Sequence, residues 1–312
     1  MKYINFNQEY EQELIELWNK CLYFDQINEA KFYKQAILDD NFDENLCWLA
    51  VSKDKPIGFV MCTKRKFPYL ERGLEPDRGW INVLFVDPKY RNKGVGQHLY
   101  DLAENKLRSL GVKEITLAAY SPGYFFAGVD EEHYPMAACF FKKNGYQDLG
   151  QHYSMGRKLQ EFDLSEEDKN KLNQIEEKGY QFKHFTKEYT LELLSFLKDE
   201  FGGGWKRNAL LAMREGNAEE LIVLCLDKYK KICGFSMSAI DGNPMRFGPI
   251  GIAKQKRNEG LGSLLLKVSL MEMKKRGICY MFFLTTNEQG KRYYERNGLE
   301  VIRICHEYRK KI

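Results

Sequence analysis

The sequence predicts a mixed α/β chain built twice over, each half a mostly antiparallel central sheet flanked by helices. Three observations carry that expectation. The first is the stretch Val86-Asp87-Pro88-Lys89-Tyr90-Arg91-Asn92-Lys93-Gly94-Val95-Gly96. An apolar run, Ile81 to Val86, precedes it and reads as a buried strand. A helical pattern follows it, with Val95, Leu99, Leu102, Ala103, Leu107 and Leu110 on one face. The second is Arg257-Asn258-Glu259-Gly260-Leu261-Gly262, which repeats the loop between an apolar strand, Phe247 to Ala253, and another amphipathic helix. The third is the recurrence of the same element order with a period of roughly 160 residues.

The elements follow from pattern and punctuation. Tyr3 to Phe6 reads as a strand, Gln8 to Leu22 as a helix with Leu14, Ile15, Trp18 and Leu22 at helical spacing, and Asn28 to Leu38 as a second helix. Cys47 to Ser52 and Ile57 to Thr63 are strands joined by the polar turn Lys53-Asp54-Lys55-Pro56. The first strand–loop–helix comes next and ends at Gly111 as a helix C-cap. Ile115 to Ala119 is a strand, Ala137 to Lys143 a helix stopped by Asn144-Gly145, and Tyr146 to Leu159 one or two closing strands. Residues 161–178, rich in Glu, Asp, Lys, Asn and Gln, read as a linker, so the expected domains are 1–160 and 179–312. After it come a strand (Tyr180 to Phe185), a helix (Tyr189 to Phe201), a flexible loop at Phe201-Gly202-Gly203-Gly204-Trp205 and a helix from Trp205. Strands at Leu221 to Leu226 and Ile232 to Ala239, the second strand–loop–helix, Cys279 to Leu284, a helix at Gly290 to Arg296 and a final strand at Val301 to Tyr308 complete the half.

Bulk composition narrows the function. The 312 residues suffice for two domains, and 44% hydrophobic with 29% charged residues is globular composition. A net charge of +4 with no dense basic run does not point to nucleic acid. No run of about 18 apolar residues predicts a membrane span. The eight scattered cysteines form no Cys-x-x-Cys pair, so no metal is expected and a reducing, cytoplasmic setting is.

The two loops carry the chemistry. Gly94 and Gly96 let backbone approach a ligand with no Cβ in the way, and the first amides of the following helix have no intrahelical acceptor. Such a junction suits a pyrophosphate. Order and motifs together resemble the GNAT superfamily of N-acetyltransferases, in tandem. The resemblance implies acetyl-CoA as the cofactor, its pyrophosphate held at Arg91, Asn92, Lys93, Gly94, Val95 and Gly96, and again at Arg257, Asn258, Glu259, Gly260, Leu261 and Gly262. It also implies that Phe85 and Val86, and Gly251 and Ile252, lie beside the pantetheine arm. Lys254 stands where the first loop has Pro88.

A second family signature is the helix end Tyr293-Tyr294-Glu295-Arg296-Asn297-Gly298-Leu299, preceded by Asn287 at a position expected to border the cofactor. The resemblance makes Tyr294 the general acid that protonates the departing thiolate. The first half has Phe141 in that position and Tyr134 in place of the Asn. Neither central strand carries a Glu or Asp, so the general base is open, with Asp130, Glu131 and His133 in a candidate loop. That loop is an insertion: Gly94 to Gly145 is 51 residues, Gly260 to Gly298 is 38, and the first half is longer by 13. Tyr120, Tyr124, Phe125, Phe126 and Asp130 within it are candidates to contact the acceptor, or its rings to cover the junction between halves.

The expected function is acetyl transfer from acetyl-CoA to a primary amine on a small molecule by direct attack, with the second half catalytic. The Pro122-Gly123-Tyr124-Phe125 loop and the Phe247-Gly248-Pro249 strand resemble acetyltransferase domains joined to some bacterial β-N-acetylglucosaminidases, which implies an amino-sugar acceptor. The rival readings are a non-catalytic CoA-binding sensor or scaffold and an enzyme acting through the first half. The sequence sets no oligomeric state.

Overall fold

The computed structural model describes residues 1–123, 125–240 and 242–312. In chain order the elements are β1 (Lys2–Asn5), α1 (Glu11–Cys21), α2 (Glu29–Phe32), β2 (Cys47–Ser52), β3 (Lys55–Thr63), β4 (Arg78–Val86), α3 (Val95–Ser109), β5 (Glu114–Leu117), α4 (Pro135–Lys143) and β6 (Gln147–Lys158). They continue with α5 (Glu166–Glu177), β7 (Gln181–His184), α6 (Thr190–Phe201), α7 (Gly203–Glu215), α8 (Ala218–Leu221), β8 (Ile222–Leu226), β9 (Ile232–Ser238), β10 (Phe247–Ile252), α9 (Leu261–Lys275), β11 (Tyr280–Phe283), α10 (Glu288–Arg296) and β12 (Glu300–Lys311). Among the described residues no helix is long and apolar enough to cross a membrane.

The chain divides into two compact units. The first holds Met1–His152 together with Arg303–Ile312. Its strands lie in the order β1-β2-β3-β4-β5-β12, antiparallel except for the parallel pair β4–β5. Apolar residues on alternate positions feed cores on both faces of the sheet. Val95, Leu99, Ala103 and Leu107 of α3 pack with Val60 and Ile81 on one face. Leu14, Leu17 and Trp18 of α1 pack with Phe32, Phe59, Val83 and Phe85 on the other. Ile81 and Val83 are two apart and would share a face in a regular strand. They do not, because a bulge lies between the pairs Cys62↔Ile81 and Met61↔Val83, leaving Asn82 without its own partner.

The second unit is Tyr153–Ile302. One sheet has the order β10-β9-β8-β7, all antiparallel. Helices α6 and α7 cover one face through Leu193, Leu197, Ala209 and Ala212. The other face packs Val223, Cys225, Cys233 and Ile252 against Leu261, Leu264 and Leu265 of α9. In the same unit, residues 155–158 of β6 pair with β11.

Three expectations are corrected. The stretch read as a linker contains α5, which is started by a reciprocal capping box between Ser165 and Asp168 and docks Ile175 into the core with Leu261. Its polar composition reflects one buried stripe on an otherwise solvated helix. The Gly-rich segment is not an extended flexible loop: Gly202 alone breaks the helix at φ 90°, and α7 begins at Gly203. The final strand, placed by sequence in the second domain, closes the first unit's sheet, with Arg309 opposite Thr116 of β5. The division of the chain therefore falls at 152/153 and 302/303, not at residues 160 and 179. An alternating apolar strand satisfies either sheet edge, so local pattern could not assign it.

A chain truncated after Ile302 tests that assignment. It leaves the outer edge of β5 unpaired and should expose 1–152 to limited proteolysis while 153–302 stays resistant. Protection of 1–152 in the truncated chain would contradict the pairing.

Candidate functional site

Each unit has a place where two parallel strands part. In the first, β4 and β5 pair only from Arg78↔Glu114 to Ile81↔Leu117. The amide of Ala118 donates back to the Ile81 carbonyl at 2.9 Å, and 82–86 run on with no described partner on that side. Asn82 sits at the fork, 6% exposed, its Oδ1 buried without a hydrogen-bond donor. In the second unit the corresponding strands touch at a single parallel bridge, Arg246↔Phe282. Phe282 N–H donates to the Met245 carbonyl at 3.0 Å, and β10 from Phe247 onward has β9 as its only described neighbour. A strand edge free of a partner offers its amides and carbonyls to a ligand.

Both forks open onto a glycine loop, and the two loops have one backbone conformation. Gly94 has φ 80° and ψ −7°, and Gly260 has φ 79° and ψ −7°. Two residues earlier, Asn92 and Asn258 are left-handed too, at φ 58° and 68°. Arg91 and Arg257 reach back across their turns. Each Nε donates to the strand just left behind, Arg91 to Val86 O at 3.0 Å and Arg257 to Ile252 O at 3.4 Å. The arginines therefore brace the turn. The first helical bonds are His98 N–H to Gly94 O (3.0 Å) and Leu264 N–H to Gly260 O (3.3 Å). That leaves the amides of Val95, Gly96 and Gln97, and of Leu261, Gly262 and Ser263, at the head of each helix without a helical acceptor. A Cβ on Gly96 would stand 3.5 Å from Val86, and one on Gly262 would stand 3.6 Å from both Ile252 and the Tyr293 hydroxyl.

The loops place their charges differently. The first carries Lys89, Arg91 and Lys93, and Lys93 Nζ donates to the Lys89 carbonyl at 2.9 Å. The second has Glu259 where the first has Lys93, and the Tyr180 hydroxyl donates to its Oε2 at 2.8 Å. Lys256 Nζ in turn donates to Tyr180 at 3.0 Å.

Tyr294 lies on α10 with its ring 4.5 Å from Phe283 and 4.9 Å from Tyr293. Burial pushes its phenol up to about 12, so it is protonated at neutral pH. Tyr293, part of the same helix-end motif, has its hydroxyl beside the second loop. The (i, i+1) pair gave no periodic signal for that. Asn287 caps α10, its Oδ1 accepting from Gly290 N–H at 2.9 Å. Phe141 is 7% exposed and packs between Tyr100 and Tyr146 in the first unit's core. Over β10, the rings of Phe201 and Trp205 stack at 4.4 Å and press so close to Gly251 that a Cβ there would lie 2.4 Å from Phe201.

The insertion is ordered by packing within the first unit. Phe125 lies 4.9 Å from Trp18, and Phe126 6.0 Å from it. Tyr120 is 2% exposed, donates to Asp39 at 2.8 Å, accepts from Asn41 at 3.0 Å and packs on Trp80. The guanidinium of Arg65 lies within 5.0 Å of the Tyr69, Trp80 and Tyr120 rings. The rings of Tyr120 and Phe125 thus serve the first unit's own core. Tyr124 lies outside the described residues.

Asp130 is 2% exposed and fully engaged. It accepts from His133 N–H (2.9 Å) and Arg303 Nε (2.5 Å), with His133 Nδ1 at 2.7 Å. Arg303 continues to Asp25 through both Nη atoms, at 2.5 and 2.7 Å, and Tyr134 donates to Asp25 at 2.8 Å. Burial pushes the Asp130 carboxyl up, but His133 and Arg303 outweigh it and hold the group below the ordinary carboxylate range. An anchored carboxylate of this kind fixes a loop; it does not collect protons at neutral pH. Glu131, Asp148 and His306 bring potential metal-ligand atoms within 4.8 Å of one another. Lys142 at 3.1 Å and the Tyr308 hydroxyl at 2.5 Å already engage Glu131.

With this geometry in hand, comparison with known proteins is informative. The acetyltransferase (GNAT) family model matches residues 5–125 and 190–299. No curated protein sequence matches the chain significantly. Among solved structures, a glucosamine N-acetyltransferase region of a fungal multi-domain GH3 β-N-acetylglucosaminidase aligns over 99% of this chain with a TM-score of 0.82 at 17% identity. The chain spans 38% of that protein's length. A GCN5-related N-acetyltransferase from Sphaerobacter thermophilus gives 0.69 at 15% identity, covering 99% of this chain and 95% of that one. A tandem GNAT protein of the clavulanic acid biosynthesis pathway gives 0.64 at 12% identity, covering 99% and 98%.

Arg303→Met should cost the first unit roughly 3–5 kcal/mol, because it strands two carboxylates that are mostly buried. Urea unfolding followed by first-unit fluorescence measures it. A carboxyl with a depressed folded pKa adds stability above its unfolded value and loses it as pH falls. The gap between wild type and variant should therefore shrink below about pH 4. A gap that grows on acidification would show that the network is not ionic. Two GNAT regions matched in sequence, two identical glycine turns and the tandem fold neighbours place this chain in the GNAT acetyltransferase family.

Proposed function

We propose that the chain is an acetyl-CoA-dependent N-acetyltransferase acting on a primary amine of a small molecule. The observation that carries the reading is the pair of Arg-x-x-Gly-x-Gly turns with one conformation, each at the mouth of a parted strand pair. Acetyl-CoA is a substrate in this reading and supplies the activated acyl group. Exposed amides at the heads of α3 and α9 supply donors for its diphosphate. The unpaired edges of β4 and β10 supply donors for the pantetheine amides and the thioester carbonyl.

Chemistry is assigned to the second unit. The attacking neutral nitrogen forms the C–N bond as the C–S bond breaks, with proximity supplying much of the acceleration. Tyr294, protonated and without a hydrogen-bond partner among the described residues, donates to the departing sulfur. The first unit has a core phenylalanine at that position, which supports a binding role for its loop. An amino sugar is the first acceptor to test, because the fungal neighbour is described as a glucosamine N-acetyltransferase region and shares the fold over nearly the whole chain. Eight free cysteines, six of them buried, suit a reducing compartment such as the cytoplasm.

Titration calorimetry with acetyl-CoA tests the reading. Two sites are expected, and Gly94→Glu and Gly260→Glu should each remove one by placing a carboxylate where the diphosphate belongs. No heat at millimolar ligand would end the proposal.

Tyr294→Phe tests the assignment of chemistry. In a CoA-release assay over amino sugars, polyamines and other amines, turnover should fall roughly 10²- to 10⁴-fold, the range for a lost proton donor. The Michaelis constant for acetyl-CoA should hold, since the ring and its packing remain. Unchanged turnover would move the chemistry away from this residue.

A further inference from the structure

We propose that Cys225 and Cys233 are an oxidation-sensitive dithiol that closes to an internal disulfide and resets the second glycine loop. Their sulfurs lie 3.5 Å apart across the β8–β9 hairpin, with Cys233 Sγ also donating to the Cys225 carbonyl at 3.4 Å. Neither has another thiol to choose from in the hairpin. A register shift between Cys225↔Gly234 and Leu226↔Ile232 makes Cys233 the extra residue of a bulge, and a bulge gives the backbone local freedom to close the gap. A disulfide needs about 2.05 Å between sulfurs, so the pair must approach by roughly 1.5 Å.

The hairpin reports to the loop through direct contacts. The Cys233 carbonyl accepts from Ala253 N–H at 2.8 Å, and Ala253 is the first residue after β10, where the chain turns toward Arg257. At the neighbouring Gly234, a Cβ would lie 2.3 Å from the Ile252 side chain and 3.2 Å from both the Cys225 Cβ and the Gly251 carbonyl. Only a glycine fits there, so β9 lies directly against Ile252 and Gly251 of β10. Cys225, Cys233, Ile252 and Leu261 belong to one packed cluster, and Leu261 opens α9. Drawing the two sulfurs together thus displaces the backbone that presents the amides of Leu261 and Gly262.

The chemistry needs a small oxidant, because both thiols are buried. A hydroperoxide suffices. The Cys233 thiolate attacks the peroxide O–O bond, giving a sulfenic acid and hydroxide or alkoxide. The Cys225 sulfur then attacks the sulfenic sulfur, the S–S bond forms and water leaves. Two thiols and one hydroperoxide give one disulfide, one water and the corresponding alcohol or a second water. Cys233 stands on the bulge and Cys225 in the regular ladder, and either order of attack gives the same disulfide. A dithiol reductant reverses the closure.

The experiment uses the full chain, treated with hydrogen peroxide and digested with trypsin without reduction. Lys228, Lys230 and Lys231 lie between the two cysteines, so cleavage separates them unless a disulfide holds the peptides together. The expected result is a linked peptide pair that a dithiol separates, with six rather than eight alkylatable thiols in denaturant. In the same sample, hydrogen–deuterium exchange of 253–262 should rise in the oxidised wild type and return on reduction. Cys225→Ala and Cys233→Ser should show neither change. Peptides that separate without reductant, or oxidation confined to the exposed Cys139 and Cys279, would overturn the dithiol. A linked pair with unchanged exchange at 253–262 would overturn its coupling to the loop. Neither readout depends on CoA binding, so failure here is distinct from failure of the functional reading.

Discussion

Both units are organised by one backbone constraint: a buried strand must turn into a helix while leaving that helix's first amides facing solvent. The left-handed glycine at each turn meets it. Gly94 and Gly260 adopt φ near 80°, where an L-residue with a Cβ is strained, and the following helix starts at once. The arginine of each loop fastens the turn to the strand end, so the amides stand where they are before any ligand arrives. Preorganisation of this kind reduces what binding must spend on ordering. The parted strands belong to the same device. A ligand held at the helix head can extend its remaining length along β4 or β10 because, among the described residues, 82–86 and the corresponding run of β10 have no paired strand on that side. In the first unit the Asn82 bulge makes the fork compatible with a core on each face, since it lets Ile81 and Val83 serve opposite sides.

On this shared frame the units have diverged in the placement of charge and in proton chemistry. Lys93 and Glu259 occupy the same loop position, but the stretches around them balance: 87–94 carries Asp87, Lys89, Arg91 and Lys93, and 253–260 carries Lys254, Lys256, Arg257 and Glu259, three positive and one negative in each. Tyr180 and Lys256 temper Glu259 by drawing its carboxylate into a hydrogen-bonded chain. The two loops therefore carry the same net charge and differ in where it sits. A tyrosine hydroxyl stands in the second unit at the position filled by the buried Phe141 in the first, and that difference, rather than charge, separates the two.

Much of the fold was legible in sequence, and the reasons are specific. The glycine loops were visible because two rigid turns need the same residues at the same spacing. Helix α3, Val95–Ser109, was legible because an apolar stripe from Val95 to Leu110 ran between the loop glycine and Gly111. What escaped was decided by distant partners. The last strand alternates as well for one sheet edge as for another, and only long-range pairing put it beside β5. Helix α5 buries little more than Ile175, too narrow a stripe to stand out from polar surroundings. The candidate site was legible at its backbone-determined part and less so at its side chains. Asp130 read as a loop acid, yet its partner Arg303 is 173 residues away. The stack of Phe201 and Trp205 over Gly251 had no sequence signal beyond a run of glycines, because it depends on how α6 and α7 meet β10.

The raised phenol of Tyr294 constrains what that residue can do. Burial beside Phe283 and Tyr293 holds the Tyr294 phenol up at about 12, so it keeps its proton near neutral pH. Giving up that proton outright costs free energy in so apolar a setting, so in the proposed reaction the donation of Tyr294 to sulfur is a hydrogen bond. A hydrogen bond donated to sulfur as negative charge develops carries no such cost and gains strength from the same burial. In the proposed reaction the proton that ends on sulfur comes from the attacking nitrogen, which must lose one to become an amide, either directly or through Tyr294 in a concerted relay. Such a relay removes the need for a strand carboxylate as general base, which accords with the absence of Glu and Asp from β4 and β10. It also requires that the acceptor amine arrive neutral. An amine of depressed basicity, such as one flanked by electron-withdrawing hydroxyl-bearing carbons in a sugar ring, meets that condition more readily near neutral pH than an unhindered alkylamine does.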